Sequence, residues 1–90
     1  MRFREVRWED WSEGHVAQHG VEPDEVEDVV LYPPRYACGG REGTTLVYGT
    51  TRGGRHLLVV VVEEGDGVVF VVTARDMDRS EQRTFRAKGR

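Results

Sequence analysis

The chain reads as an α+β domain in the order β-α-α-β-β-β-β-α, and three observations carry that expectation. Two segments before residue 33 combine helical apolar spacing with helix-stopping residues. Valine-rich runs then follow one another across glycine-rich turns, the pattern of an antiparallel meander. Near the end, Asp78 and Glu81 have the spacing of a capping box, which opens a last helix.

The elements follow from local chemistry. Arg2 to Trp8 alternates Phe3, Val6 and Trp8 imperfectly with charge and predicts a first strand at a sheet edge. Asp10 or Ser12 is the expected cap of a short helix whose face carries Trp11, His15, Val16 and His19, and Gly20 ends it because glycine takes left-handed geometry without a Cβ clash. The second helix begins at Pro23, with Asp24 and Glu25 against the positive end of its dipole and Val21 and Val26 at staple positions. Val26, Val29 and Val30 form its buried stripe, and Pro33-Pro34 stops it. Strands are expected around Arg35 to Ala37, Thr44 to Thr51, Arg55 to Glu63 and Val68 to Ala74, and the last helix from Asp78 to about Ala87.

One property strains a simple one-layer picture. Leu-Leu-Val-Val-Val-Val and Val-Val-Phe-Val-Val are apolar at successive positions, so both sheet faces need cover. The last helix, a homodimer through the apolar sheet, or a different protein can each supply it, and sequence leaves all three open.

Composition bounds the function. Ninety residues are expected to form one domain, 1–90. The lone Cys38 excludes an internal disulfide, the N-terminus lacks a signal-peptide apolar region, and the longest apolar run is too short for a membrane span. A cytoplasmic protein without membrane contact is the expectation. The net charge of −3 argues against strong non-specific nucleic-acid binding, but charge is unevenly spread. Residues 1–34 hold three basic and nine acidic side chains, whereas residues 75–90 hold six and three.

That basic end directs attention to Arg75, which sits at the expected end of an apolar strand, where its stem can pack and its guanidinium emerge at the rim. A salt bridge to Glu81 is the structural alternative. Arg79, Arg83 and Arg86 recur at i, i+4 and i+7, a stripe suited to phosphate, to an acidic partner, or simply to solvent. Arg55 and His56 follow the Arg52-Gly53-Gly54 turn, which would deliver a cation and an imidazole together. His15 and His19 have zinc-ligand spacing, but no third ligand follows, so neither metal nor cofactor is expected. Gly39-Gly40-Arg41 and Arg52-Gly53-Gly54-Arg55 lack P-loop spacing and its lysine.

The sequence resembles the BrnT-like toxin family of type II toxin-antitoxin pairs. The likeness rests on Trp8, His19-Gly20-Val21 closing the first helix, an acidic second helix ending at prolines, a Gly-Arg turn before a valine-rich strand, and Thr73-Ala74-Arg75 followed by Glu81 and Phe85. Gln18 and His15 depart from the Lys and Asn that the family often carries there. The resemblance implies a RelE-like fold, a metal-independent ribonuclease that inhibits translation by acting on RNA, including ribosome-associated mRNA, and a cognate antitoxin. Such a nuclease needs a base for the substrate's 2′-hydroxyl, an acid for the leaving oxygen and cations on the phosphate. Arg75, His56 and Arg79 are then the catalytic candidates, and Arg55, Arg83 and Arg86 the phosphate-binding ones. The competing expectation is a catalytically inactive module on the same fold, whose arginines hold an acidic partner or whose sheet homodimerises.

Overall fold

A computed structural model describes residues 3–90, and Arg2 of the expected first strand lies outside them. The element order is as read: β1 (Glu5–Arg7), α1 (Asp10–Gln18), α2 (Pro23–Leu31), β2 (Arg35–Gly39), β3 (Thr45–Thr50), β4 (His56–Gly65), β5 (Val68–Asp76) and α3 (Arg79–Lys88). A short 3₁₀ turn, Arg41–Gly43, joins β2 to β3.

The strands form one sheet in the order β1-β5-β4-β3-β2. β2 through β5 are the expected antiparallel meander. β1 is at the edge as expected, but it pairs parallel to β5, Val6 beside Val69, so the sheet is mixed. β1 and β5 are joined by no turn and lie at opposite ends of the chain, so no hairpin sets their relative direction.

α2 starts as the sequence indicates. Glu22 is its N-cap, Pro23 its first residue, and Glu25 Oε1 accepts the Glu22 N–H at 3.0 Å. The start of α1 differs from expectation. Its N-cap is Glu9, while Ser12 lies three residues inside, its Oγ accepting the Glu9 N–H and donating to the Glu9 carbonyl, both at 2.9 Å. The expected α1 face also turns out differently: Ser12 and Val16 are buried, whereas Trp11, His15 and His19 are exposed. Trp11 instead reaches Phe70, ring to ring at 5.5 Å.

Both sheet faces are apolar for separate reasons. Val16, Val21, Val26, Val29 and Val30 pack on one face over Val47, Leu57, Val59, Val61, Val69, Val71 and Ala74. Gly49 permits this closeness: a Cβ there would stand 2.9 Å from Val29 Cγ1. On the other face a smaller cluster joins Tyr48, Leu58, Met77 and Phe85, so α3 is the cover at that end. Of the three covers left open by the sequence, the last helix supplies this part. Val62, further along the same face, remains exposed.

Candidate functional site

The geometry of the basic end depends on one irregularity in β5. Val60 pairs with Thr73, yet Val61 pairs with Val71, so Val72 is an extra residue, a β-bulge. Strict alternation would put Arg75 on the same side as Val69 and Val71, beneath the helices. The bulge reverses the parity. Ala74 joins the buried valines, and Arg75 turns to the α3 face, opposite Leu58.

β5 also extends two residues beyond its expected end, to Asp76, so Arg75 lies within the strand rather than terminating it. Its guanidinium grips Glu81: Nη1 donates to Oε1 and Nη2 to Oε2, both at 2.8 Å, while Nη1 also donates to the Asp76 carbonyl at 3.0 Å. The same Glu81 Oε1 accepts the Asp78 N–H at 2.9 Å, and Asp78 Oδ1 accepts the Glu81 N–H at 2.8 Å. One carboxylate thus closes the capping box of α3 and fixes Arg75. The Arg75 hydrogen bonds hold the Glu81 carboxyl below its ordinary range, and those same bonds raise Arg75. The side chain of Arg75 is still 44% exposed.

His56 is on the same face, opposite Thr50, with its imidazole edge-on to Phe85 at 6.1 Å and 76°. Because Leu58 faces Arg75 and the Met77 N–H donates to the His56 carbonyl, His56 and Arg75 are diagonal neighbours across β4 and β5, about 7–8 Å apart in backbone terms. Beside them Tyr48 is buried and stacks at 5.7 Å on Tyr36. Burial, then the Cys38, Glu81 and Tyr36 charges, push the Tyr48 hydroxyl up, against a smaller opposing effect of Arg75. Tyr48 was not singled out from sequence. Its only signal was its two-residue offset from Leu46 in an alternating strand.

The remaining arginines divide into two kinds. Arg79, Arg83 and Arg86 are exposed on α3 and make no ion pair among the described residues. Arg55 is structural in its geometry. It donates from Nε and Nη2 to the two oxygens of Asp76 (2.7 and 3.1 Å), from Nη1 to Gly20 O (2.7 Å) and Glu25 Oε1 (3.1 Å), and from Nη2 to His19 O (3.3 Å). All five N–H groups that a guanidinium has are spent joining the end of α1, the start of α2 and the end of β5. Arg55 has therefore no donor left for a phosphate, and its side chain points away from the α3 face that carries Arg75 and His56. Asp76, held by Arg55's hydrogen bonds, stays ionised below the usual carboxylate range.

The α3 end of the sheet thus brings together an imidazole, a half-exposed guanidinium with its carboxylate, a phenol, and three free arginines along the adjoining helix. Cations of this kind can neutralise a phosphodiester, and an imidazole can take or give a proton.

No family model matches the chain, and no curated protein matches it. Among solved structures, the fold is similar to the 1.1 Å crystal structure of BrnT, the ribonuclease toxin of Brucella abortus, with a TM-score of 0.66 and 15% identity over 83% of this chain and 97% of that one. The α+β fold of that toxin is the fold of this chain.

Proposed function

We propose that the 90-residue chain acts as the toxin of a type II toxin-antitoxin pair, a metal-independent ribonuclease that inhibits translation in the cytoplasm. The observation that carries the reading is the juxtaposition of His56 and Arg75 on the α3 face, in a fold like that of a ribonuclease toxin. Arg75 retains its Nε–H and one Nη2–H beyond the bonds to Glu81 and Asp76, enough to engage a phosphate oxygen. Arg79, Arg83 and Arg86 extend positive charge along the helix for the RNA backbone. His56 takes the 2′-hydroxyl proton and returns it to the leaving 5′-oxygen, while Arg75 stabilises charge on the phosphate. Arg55 has no part in this, since its donors are committed elsewhere.

The Arg75–Glu81 ion pair favours a second reading, in which the chain is a non-catalytic interaction module and Arg75 serves only to anchor α3. Controlled expression separates the two. Growth arrest that is relieved by Arg75→Ala, at equal protein level, and by co-expression of an adjacent antitoxin gene is expected. Undisturbed growth at high expression would leave the interaction module as the better account.

A further inference from the structure

The two edges of the sheet are unlike each other. β1 is three residues long and flanked by charge, with Arg7 reaching Glu5 and Glu64. Short, charged edges resist added strands. β2 runs five residues, and its outer positions are Arg35, Ala37 and Gly39. The direction of its free groups is fixed by one pair of bonds: the Arg35 N–H donates to Arg90 O at 3.1 Å, and the Arg90 N–H donates to Arg35 O at 3.0 Å. Arg35 thus directs both backbone groups away from β3. By the alternation of an antiparallel ladder, Ala37 and Gly39 do the same. No backbone or side-chain partner meets these four groups among the described residues.

Beside this edge runs a groove of about 920 Å³. Phe3, Leu31 and Pro33 give it an apolar floor, while Lys88 and Arg90 supply exposed cations, and among the described residues no acidic side chain lines it. Lys88 and Arg90 are exposed, and Lys88 stands 5.4 Å over the Tyr36 ring.

We infer that the β2 edge is a docking site for an acidic, extended peptide segment of a partner protein, which pairs with Ala37 and Gly39 as a sixth strand and sets carboxylates against Lys88 and Arg90. Arg90 already occupies the first rung as a strand residue would, and the incoming segment continues the ladder. An extended peptide offers donors and acceptors at strand spacing, which a nucleic-acid backbone does not. A second copy docking through the same edge would bring two sets of Lys88 and Arg90 together, like charge against like. The inference is independent of RNA cleavage, since strand addition requires no catalysis.

The test uses the full chain and a fluorescent peptide alternating Val and Glu, read by anisotropy. Saturable binding is expected, weakened about tenfold or more by Ala37→Pro, which deletes an outward N–H and leaves the β3 ladder intact, and similarly by the Lys88→Glu/Arg90→Glu pair. Circular dichroism checks that each variant folds. Two peptides N-methylated at alternate residues, in opposite phase, leave the protein untouched: only one phase faces the edge, so one loses binding about tenfold and the other keeps it. Equal effects of both phases, equal binding of a Val–Lys peptide, or displacement by oligouridylate that is insensitive to Ala37→Pro would each overturn the inference.

Discussion

Arg75 and Glu81 form a two-pronged ion pair, 2.8 Å at each contact, in which the carboxylate also accepts the Asp78 N–H that opens α3. The pair ties the last strand to the last helix, and its carboxylate offsets the guanidinium charge that a phosphate on the remaining donors would meet.

That offset predicts the effect of Glu81→Gln. Removing the charge while keeping an acceptor for the cap releases Arg75 at a stability cost of about 0.5–1 kcal/mol, as for a partly exposed pair. Affinity for a single-stranded RNA, measured by anisotropy, rises several-fold, about threefold to tenfold, because charge-assisted donors become available. Unchanged or weaker affinity would mean that Arg75 serves only α3.

Arg55→Lys is expected to destabilise the chain by about 2–4 kcal/mol in urea unfolding, since a lysine cannot reproduce a fork that satisfies two carboxylates and two carbonyls. At a temperature where the variant remains folded, RNA binding stays at the wild-type level. A loss of binding without a loss of stability would return Arg55 to the phosphate site.

Gly49→Ala tests the fit between helix and sheet. The added methyl meets Val29 Cγ1 at 2.9 Å and the Val29 backbone at 3.4 Å. A cost of about 1–3 kcal/mol is expected, part of which is recovered when Val29→Ala is combined with it. Additive penalties in the double variant would contradict the contact.

Acid stability follows from Asp76 and Glu81, whose carboxyls are both held down by hydrogen bonds from arginine. For groups depressed on folding, the stabilisation is complete above their unfolded pKa values, about 4, and disappears as pH falls through the lower folded values. Urea midpoints taken from neutral pH downward should therefore show the gaps between wild type and Arg55→Ala, and between wild type and Arg75→Ala, narrowing below about pH 4. Gaps that stay constant to pH 2, roughly, would refute the linkage.

Sequence carried the fold further than the site. Pro23, the Val26/Val29/Val30 stripe and the Asp78–Glu81 spacing state their local structure in a few adjacent residues, and each forms as read. Arg75 illustrates the opposite case. Its face depends on the bulge at Val72, and a valine among valines carries no mark of being unpaired. Arg55 is similar, because its five acceptors come from residues 19 to 25 and 76, which only the folded chain brings together. The parallel pairing of β1 was hidden for the same reason: three residues of alternating polarity fit either direction.

The most direct measurement of the proposed activity is cleavage of single-stranded and ribosome-bound RNA by purified protein in the presence of a chelator. Fragments ending in 2′,3′-cyclic phosphate are expected, formed by attack of the substrate's own 2′-hydroxyl, with the rate lowered about 10²-fold or more in Arg75→Ala and in His56→Ala. RNA left intact, or cut equally by wild type and Arg75→Ala, would contradict that expectation.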